Sequence, residues 1–454
     1  MLHKKSLYFY IPFFCLIYLL VFFYIKNPFW GLMDDATSIR LGLQFSSQPL
    51  LTTAEWLIQN NSQGMFRPFF AVQQYLQYIF YEYNNPIPTY FLNISLVLLG
   101  IYLFSKVFVK KDKLIIFYAI FLLWPYTYDW FMMPTLNEKY GLIFISLGLM
   151  LKVNNQNRFI KFIFGLLALL FKLNLIVLIP LAFYKEKSQK IQLDLTAGMI
   201  LGLLIQTFFF FNNPDSYYNT GIFETILAIE FGTIQNLVVL IILFGLIIDF
   251  IVCSNSKQEK LLIICIAISI LISFIMLNLR NSSFGYLGTI LIFPISLYLI
   301  SLVNRLKFMN IDKIKNLTLI TCLIVSNIFF LTPRLERWGD IGNILSLDFD
   351  NKAVYFCGEG RFMLNIWDIE NRSIQNSYFT SFPEIVLSES YWQNKFYNDF
   401  RFITFPGQEN QHKNFSYIID PFCNESISFL RTIEECSYKS LYKNEILFLQ
   451  NIEC

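Results

Sequence analysis

The chain reads as an α-helical polytopic membrane protein that carries a small α/β domain at its C-terminal end. Three observations predict this. Apolar runs close to the ~20 residues of a membrane-spanning helix recur from Leu7 to Leu331. Basic residues cluster in every second connection between those runs, as expected of cytoplasmic loops. From Pro333 onward short β-rich runs replace the long apolar ones.

Composition agrees. Hydrophobic residues supply 55% of the 454 positions and charged residues 15%, against about 25% charged in soluble domains. Mean hydropathy is +0.49. The 50 Phe and 26 Tyr suit lipid-facing and interfacial positions. A net charge of +3, with no Lys/Arg-rich run and no zinc-like cysteine spacing, argues against a nucleic-acid partner.

Leu7–Ile25 follows His3-Lys4-Lys5, which resembles a signal peptide's basic start. Its length and the lack of a small-x-small cleavage site make it a retained anchor. Further runs are Thr89–Lys106, Leu114–Met132, Tyr140–Val153, Leu195–Phe211, Gly232–Cys253, Leu261–Leu279, Leu287–Val303 and Leu317–Leu331. Two shorter ones, Phe159–Phe171 and Leu173–Tyr184, flank Lys172 as a hairpin, for about eleven spans in all.

Placing the N-terminus inside puts Lys4/Lys5, Lys106–Lys113, Lys152/Arg158/Lys161, Lys185–Lys190, Lys257/Lys260 and Arg305–Lys315 in cytoplasmic loops. The outer loops then hold scattered cations, Lys26, Arg40, Arg67, Lys139 and Arg280. The expected topology is N-inside and C-outside. The first outer loop, about residues 26–88, contains amphipathic stretches Leu50–Gln59 and Arg67–Tyr83, expected to lie in the interface. Domain boundaries follow: a transmembrane domain over 1–332 and an extracytoplasmic soluble domain over 333–454.

In the tail, Ala353–Cys357, Arg401–Phe405, Tyr417–Asp420 and Ile446–Leu449 read as strands and Ser426–Glu435 as a helix. Its cysteines, Cys357, Cys423, Cys436 and Cys454, allow three disulfide pairings or none. Cys15, Cys253, Cys265 and Cys322 read as apolar filler of the spans.

Histidine occurs only as His3 and His412. Acid/base chemistry in the membrane part therefore falls to carboxylates, tyrosines or lysine. The outward-facing acids are few: Asp34 and Asp35 just after the first span, Asp129 at the end of the third, and Glu138 at the start of the fourth. Ionisable groups at membrane depth are costly and mark function by default. An ordinary polar turn at a span end is the alternative for the Asp pair. Arg67, before Pro68, is placed to pair with Asp34/Asp35, to grip a phosphate, or to snorkel to headgroups. Lys172 at a hairpin tip is expected to meet an anion. Arg280 is a lone cation at an outer span end, suited to phosphate or to anchoring. Acids in the first two outer loops and cations in the first, third and fifth suit a lipid-phosphate donor. Its leaving group is charge-stabilised while a carboxylate activates the acceptor.

Phe29-Trp-Gly-Leu-Met-Asp-Asp-Ala36 resembles the acidic first-loop motif of GT-C-type membrane glycosyltransferases. Phe66-Arg-Pro-Phe69 followed by Asn85-Pro-Ile-Pro-Thr-Tyr-Phe-Leu-Asn93 resembles the Tyr-Arg-Pro-Leu…Pro…His-x-x-Asn stretch of the transmembrane, tetratricopeptide-bearing O-mannosyltransferases and their bacterial relatives. Pro125-Tyr-Thr-Tyr-Asp129 has that family's Pro-x-x-x-acid spacing, and Lys172 falls where those proteins carry a Lys-Glu pair. The resemblance covers roughly residues 1–185. It departs in replacing the family's loop-two histidines, in following Lys172 with Leu173-Asn174, and in lacking tetratricopeptide repeats.

The resemblance implies a GT-C fold and sugar transfer from a polyprenyl-phosphate donor, on the outer face of a membrane such as the bacterial inner membrane. The acceptor is an extracytoplasmic glycan, lipid or protein. Asp34 or Asp35 would be the base or metal-facing acid and Asp129 a supporting acid, with Arg67 and Lys172 as donor contacts. A role for Arg280 rests on its position alone. The cofactor question is open, and a divalent cation would fall to Asp34, Asp35 and Asp129. Two rivals remain: a polysaccharide polymerase or ligase using lipid-diphosphate-linked glycans, and a transporter or flippase. The latter calls for midplane charges, whereas Asp194 and Asp249 lie near inner span ends.

Overall fold

A computed structural model describes residues 87–124, 127–132, 136–151, 155–211, 234–253, 256–278 and 290–305. It also describes isolated positions within 15–79, Val325, and five strands between 354 and 453. The chain divides into two compact units, one of residues 1–20, 48–73 and 89–331, the other of 21–47, 74–88 and 332–454. The described residues are mostly helical.

Ten helices are described: α1 Ile87–Phe108, α2 Leu114–Leu123, α3 Thr127–Met132, α4 Glu138–Met150 and α5 Asn155–Phe171, then α6 Ile179–Ser188, α7 Asp194–Phe211, α8 Ile234–Ile248, α9 Lys257–Asn278 and α10 Ile292–Arg305. α1, and α9 over Lys257–Ile275, are long and apolar enough to cross a membrane. Their starts have local causes. Pro88, Pro180 and Pro294 sit in the first turns of α1, α6 and α10, where a missing N–H is harmless and the fixed φ favours the helix. Ser256 Oγ accepts the Glu259 amide proton at 3.1 Å, capping α9.

The expected single span Leu114–Met132 is in fact broken. α2 ends at Leu123, Trp124 is extended (φ −81°, ψ 113°), and α3 restarts at Thr127. Pro125 explains the break, because proline disfavours helical geometry in the residue before it and cannot donate to the ladder. Thr127 Oγ1 donates to the Phe121 carbonyl at 2.8 Å, satisfying one oxygen freed by the break.

The Lys172 hairpin forms as expected, but its second limb opens as a 3-10 helix, Leu173–Leu178, before α6. At ~2.0 Å per 3-10 residue and ~1.5 Å per α residue, this limb reaches about 27 Å, close to the roughly 25 Å of α5. α7 then rises parallel to α5. Their backbones nearly touch: an added methyl at Gly165 would overlap the Leu195 carbonyl oxygen, and one at Gly198 the Phe162 carbonyl oxygen. Gly198 and Gly202 form a G-x-x-x-G stripe of the kind that brings helices together in lipid.

At one end of this helix trio Arg158 pairs with Asp194 at 3.2 Å. Glu186, beyond the last apolar residue of the descending limb, caps α7. It accepts from the Leu195 and Thr196 amides at 3.1 Å each and from the Thr196 hydroxyl at 2.6 Å. Burial pushes its carboxyl up from the usual range, against those hydrogen bonds and the Lys161 charge.

Phe293 of α10 joins the other helices. Its ring lies 4.6 Å from Phe104 of α1, 5.8 Å from Phe121 of α2 and 6.0 Å from Trp130 of α3. Facing away from this core, α7, α8 and α9 expose large apolar side chains, among them Leu204, Phe208, Ile241, Phe244 and Ile268.

The five strands are β1 Val354–Phe356, β2 Ile403–Thr404, β3 Tyr417–Asp420, β4 Ser437–Tyr442 and β5 Leu447–Glu453. They form one mixed sheet in the order β2-β1-β3-β5-β4, parallel through β2-β1-β3 and antiparallel through β3-β5-β4. β4 has no counterpart among the expected strands. The tail helix expected at Ser426–Glu435 and the spans expected at Leu7–Ile25 and Leu317–Leu331 lie outside the described residues, apart from Cys15, Tyr18, Leu19 and Val325.

Replacing Gly165 by leucine should collapse the α5–α7 contact, because the obstructing atoms are backbone. Gly100→Ala meets only the end of the Leu142 side chain at 3.1 Å and should be tolerated. Thermal unfolding in lipid nanodiscs checks this: a large fall in midpoint is expected for the first variant and little change for the second.

Candidate functional site

Glu138 opens α4, and its carboxylate therefore lies at the favourable positive end of that helix. It is fully buried. Its partner comes from the hairpin tip: Lys172 Nζ lies 3.5 Å from Glu138 Oε1, and Asn174 Nδ2 donates to the same oxygen at 3.4 Å. Lys172 takes an extended backbone (φ −158°, ψ 127°) between α5 and the 3-10 segment. Gly141, one turn into α4, makes the approach possible. A methyl there would overlap Leu175 and crowd the Ala168 carbonyl oxygen at 2.9 Å.

Lys172 was expected to meet an anion of the substrate, and the anion that the structure sets against it is a carboxylate of the chain itself. The carboxylate comes from Glu138 on another helix and not from the residue that follows the lysine. Lys139, expected as an outward loop cation, is instead buried. Its ammonium donates to the Leu136 carbonyl at 2.7 Å and lies 5.1 Å from the Tyr140 ring centre.

A segment of the first loop docks beside the hairpin tip. Gln206 of α7 clasps Phe66 by both its amide and its carbonyl, and also donates to the Leu169 carbonyl at 3.3 Å. Phe66 stacks on Phe209 at 4.5 Å, and Phe69 on Phe171, the neighbour of Lys172, at 5.1 Å. Arg67 itself lies outside the described residues, but Phe66 and Phe69 on either side of it are held at the Lys172 end of the trio.

Asp129 is the third residue of α3; its side chain lies outside the described residues. What places α3 is Asn93, whose Nδ2 donates to the Trp130 and Phe131 carbonyls at 2.9 and 2.8 Å and so caps the C-terminal end of the helix. Asp34, Asp35 and Arg280 lie outside the described residues. Among the described residues no group of three or more His, Cys, Asp or Glu side chains is arranged to hold a metal ion.

The structure thus brings Glu138, Lys172, Asn174 and the neighbours of Arg67 to one end of the helix trio. Sequence reasoning noted Glu138 without assigning it to Lys172. It also passed over Gln206 and the capping role of Asn93, although a lone amide in an apolar run such as 195–211 is itself a signal. Compared with protein-family models, with curated proteins and with solved structures, the chain finds no match.

Gln206→Leu should release Phe66 and leave its amide and carbonyl unpaired, a loss of about 2–4 kcal/mol. Hydrogen exchange is the check: faster exchange confined to residues 65–70 is expected, with α5 and α7 still protected.

Proposed function

We propose that the chain is an integral membrane glycosyltransferase with a GT-C-like architecture. It moves a sugar, with inversion, from a polyprenyl-phosphate donor to an extracytoplasmic glycan, lipid or protein. The observation that carries this reading is the buried Glu138–Lys172–Asn174 cluster, with the flanks of Arg67 docked beside it. An ionic group at this depth needs a functional reason. A lysine with an arginine-bearing segment at its side suits a lipid phosphate.

α7, α8 and α9 each expose several large apolar side chains, which a bilayer would cover. The alternation of basic loops supports a multi-pass, N-inside topology, in which the Lys172 end would face outward from a membrane such as the bacterial inner membrane. The tail domain, residues 333–454, then serves to bind the acceptor.

In the proposed reaction Asp34 or Asp35 takes the acceptor's proton while the acceptor oxygen attacks the anomeric carbon. The bond from that carbon to the phosphate oxygen breaks, and the polyprenyl phosphate leaves with its charge met by Lys172, Arg67 and Arg280. Asp129 supports the acid pair. Any divalent cation would be held by these three aspartates.

General-base catalysis contributes about 10²–10⁴-fold. Asp34→Asn or Asp35→Asn should therefore lower transfer from a polyprenyl-phosphate sugar by that factor without reducing folded yield. Wild-type rates in both variants would overturn the mechanism. Loss on Arg280→Ala alone would point instead to a polymerase using lipid diphosphates.

A further inference from the structure

α1 is 22 residues long, about 33 Å at ~1.5 Å per residue, against the ~30 Å hydrocarbon core of a bilayer. Phe91, Leu99 and Lys106 are exposed on it, with Ser95 and Tyr102 half-buried between them. At spacings of three and four residues these five make one stripe along the helix. Ser95 donates its hydroxyl to the Phe91 carbonyl at 2.7 Å and so withholds it from lipid. The stripe ends in a ring and a cation: Lys106 Nζ lies 5.2 Å from the Tyr102 ring centre. An aromatic ring with a lysine one turn beyond it suits a helix leaving hydrocarbon for the headgroups.

Two basic turns meet at that end. Lys185 of α6 donates to the carbonyl of Val107, in the last turn of α1, and its Nζ lies 5.8 Å from the Phe108 ring centre. At ~3.8 Å per Cα step, Lys110 is within about 11 Å of Val107 and Lys187 within about 8 Å of Lys185. Lys106, Lys110, Lys111, Lys187 and Lys190 are all exposed. None of the five is in an ion pair among the described residues. Lys190 stands at φ 57°, where glycine is the easier residue, so this cation is kept at a backbone cost.

The acids nearby do not balance them. Glu186 is buried on the α7 amides, and Asp194 is paired with Arg158. Glu259, within electrostatic reach of Tyr184, has Lys257 and Lys260 in its own turn. Residues 106–113 set Asp112 alone against Lys106, Lys110, Lys111 and Lys113.

We propose that the joined ends of α1 and α6 bind the headgroup of an anionic phospholipid, its phosphate against lysines of both turns and an acyl chain along the α1 stripe. A lipid is the occupant, and not free phosphate, because the cations continue the stripe that faces the hydrocarbon. This rests on the reading of α1 as a membrane span and is independent of sugar transfer. On the N-inside topology the lipid belongs to the inner leaflet.

The test titrates the full chain in detergent with phosphatidylglycerol or phosphatidylcholine and counts retained lipids by native mass spectrometry. The wild type should prefer phosphatidylglycerol. Lys110→Gln/Lys111→Gln and Lys187→Gln/Lys190→Gln should each weaken that lipid about fivefold per lysine removed. Phosphatidylcholine binding and the thermal midpoint should stay unchanged in both. Arg158→Gln takes charge from the same end, but from a cation already met by Asp194, and should change little. No preference in the wild type, or a preference kept in both double variants, overturns the proposal. So does an equal loss on Arg158→Gln, which makes net charge the cause, or displacement of the lipid by inorganic pyrophosphate at matched ionic strength. Failure of the membrane reading looks different: alkaline carbonate then releases the chain from membranes, and the proposal falls with it.

Discussion

The buried pair between Glu138 and Lys172 is the constraint on which the rest of this end of the molecule depends. Taking either ion out of water alone costs several kcal/mol, and neither α4 nor the hairpin can bury its charge without the other. The requirement fixes where α4 begins, where α5 stops, and how the chain turns between them. Gly141 follows from it, since a larger residue would hold the two elements apart. Asn174 follows as well, bonding the same carboxylate oxygen from the first turn of the 3-10 segment.

The opposite end of the trio is also held by charge, through Glu186 on the start of α7 and Arg158 on Asp194. Between the two ends, glycine contacts do the packing. Lipid chains are as apolar as leucine, so helix association in a bilayer draws on close packing and buried polar contacts. A frame tied at both ends holds Lys172 in one position, and on the proposed reading that lysine has two partners, the Glu138 carboxylate and the phosphate of the donor.

Much of this was legible in the residues. Long apolar runs locate α1, α4, α5, α7 and α9 to within a few residues, because a continuous apolar run longer than a strand reads as a helix whatever covers it. Proline chemistry is legible too, yet the hydropathy of 114–132 conceals the break at Pro125, since apolar residues lie on both sides of it. β4 was missed for the opposite reason: Ser437-Tyr-Lys-Ser-Leu-Tyr442 is short and half polar, and only pairing with β5 defines it. The partner of Lys172 was not legible because Glu138 lies 34 positions away, and only the fold brings the two together. Gly198-x-x-x-Gly202 was legible in principle, as a spacing whose meaning depends on the helix it faces.

A charge reversal separates the structural role of Lys172 from its proposed one most directly. Glu138→Lys and Lys172→Glu should each cost much of the folded protein, because each places like charges together in a buried site. Combining them restores an ion pair, so the thermal midpoint should return most of the way to wild type. On the proposed reading, transfer from a polyprenyl-phosphate sugar should not return, because the cation then projects from α4 and no longer from the hairpin tip beside Phe69. A double variant as unstable as the single ones, or one that transfers sugar at the wild-type rate, would contradict the account.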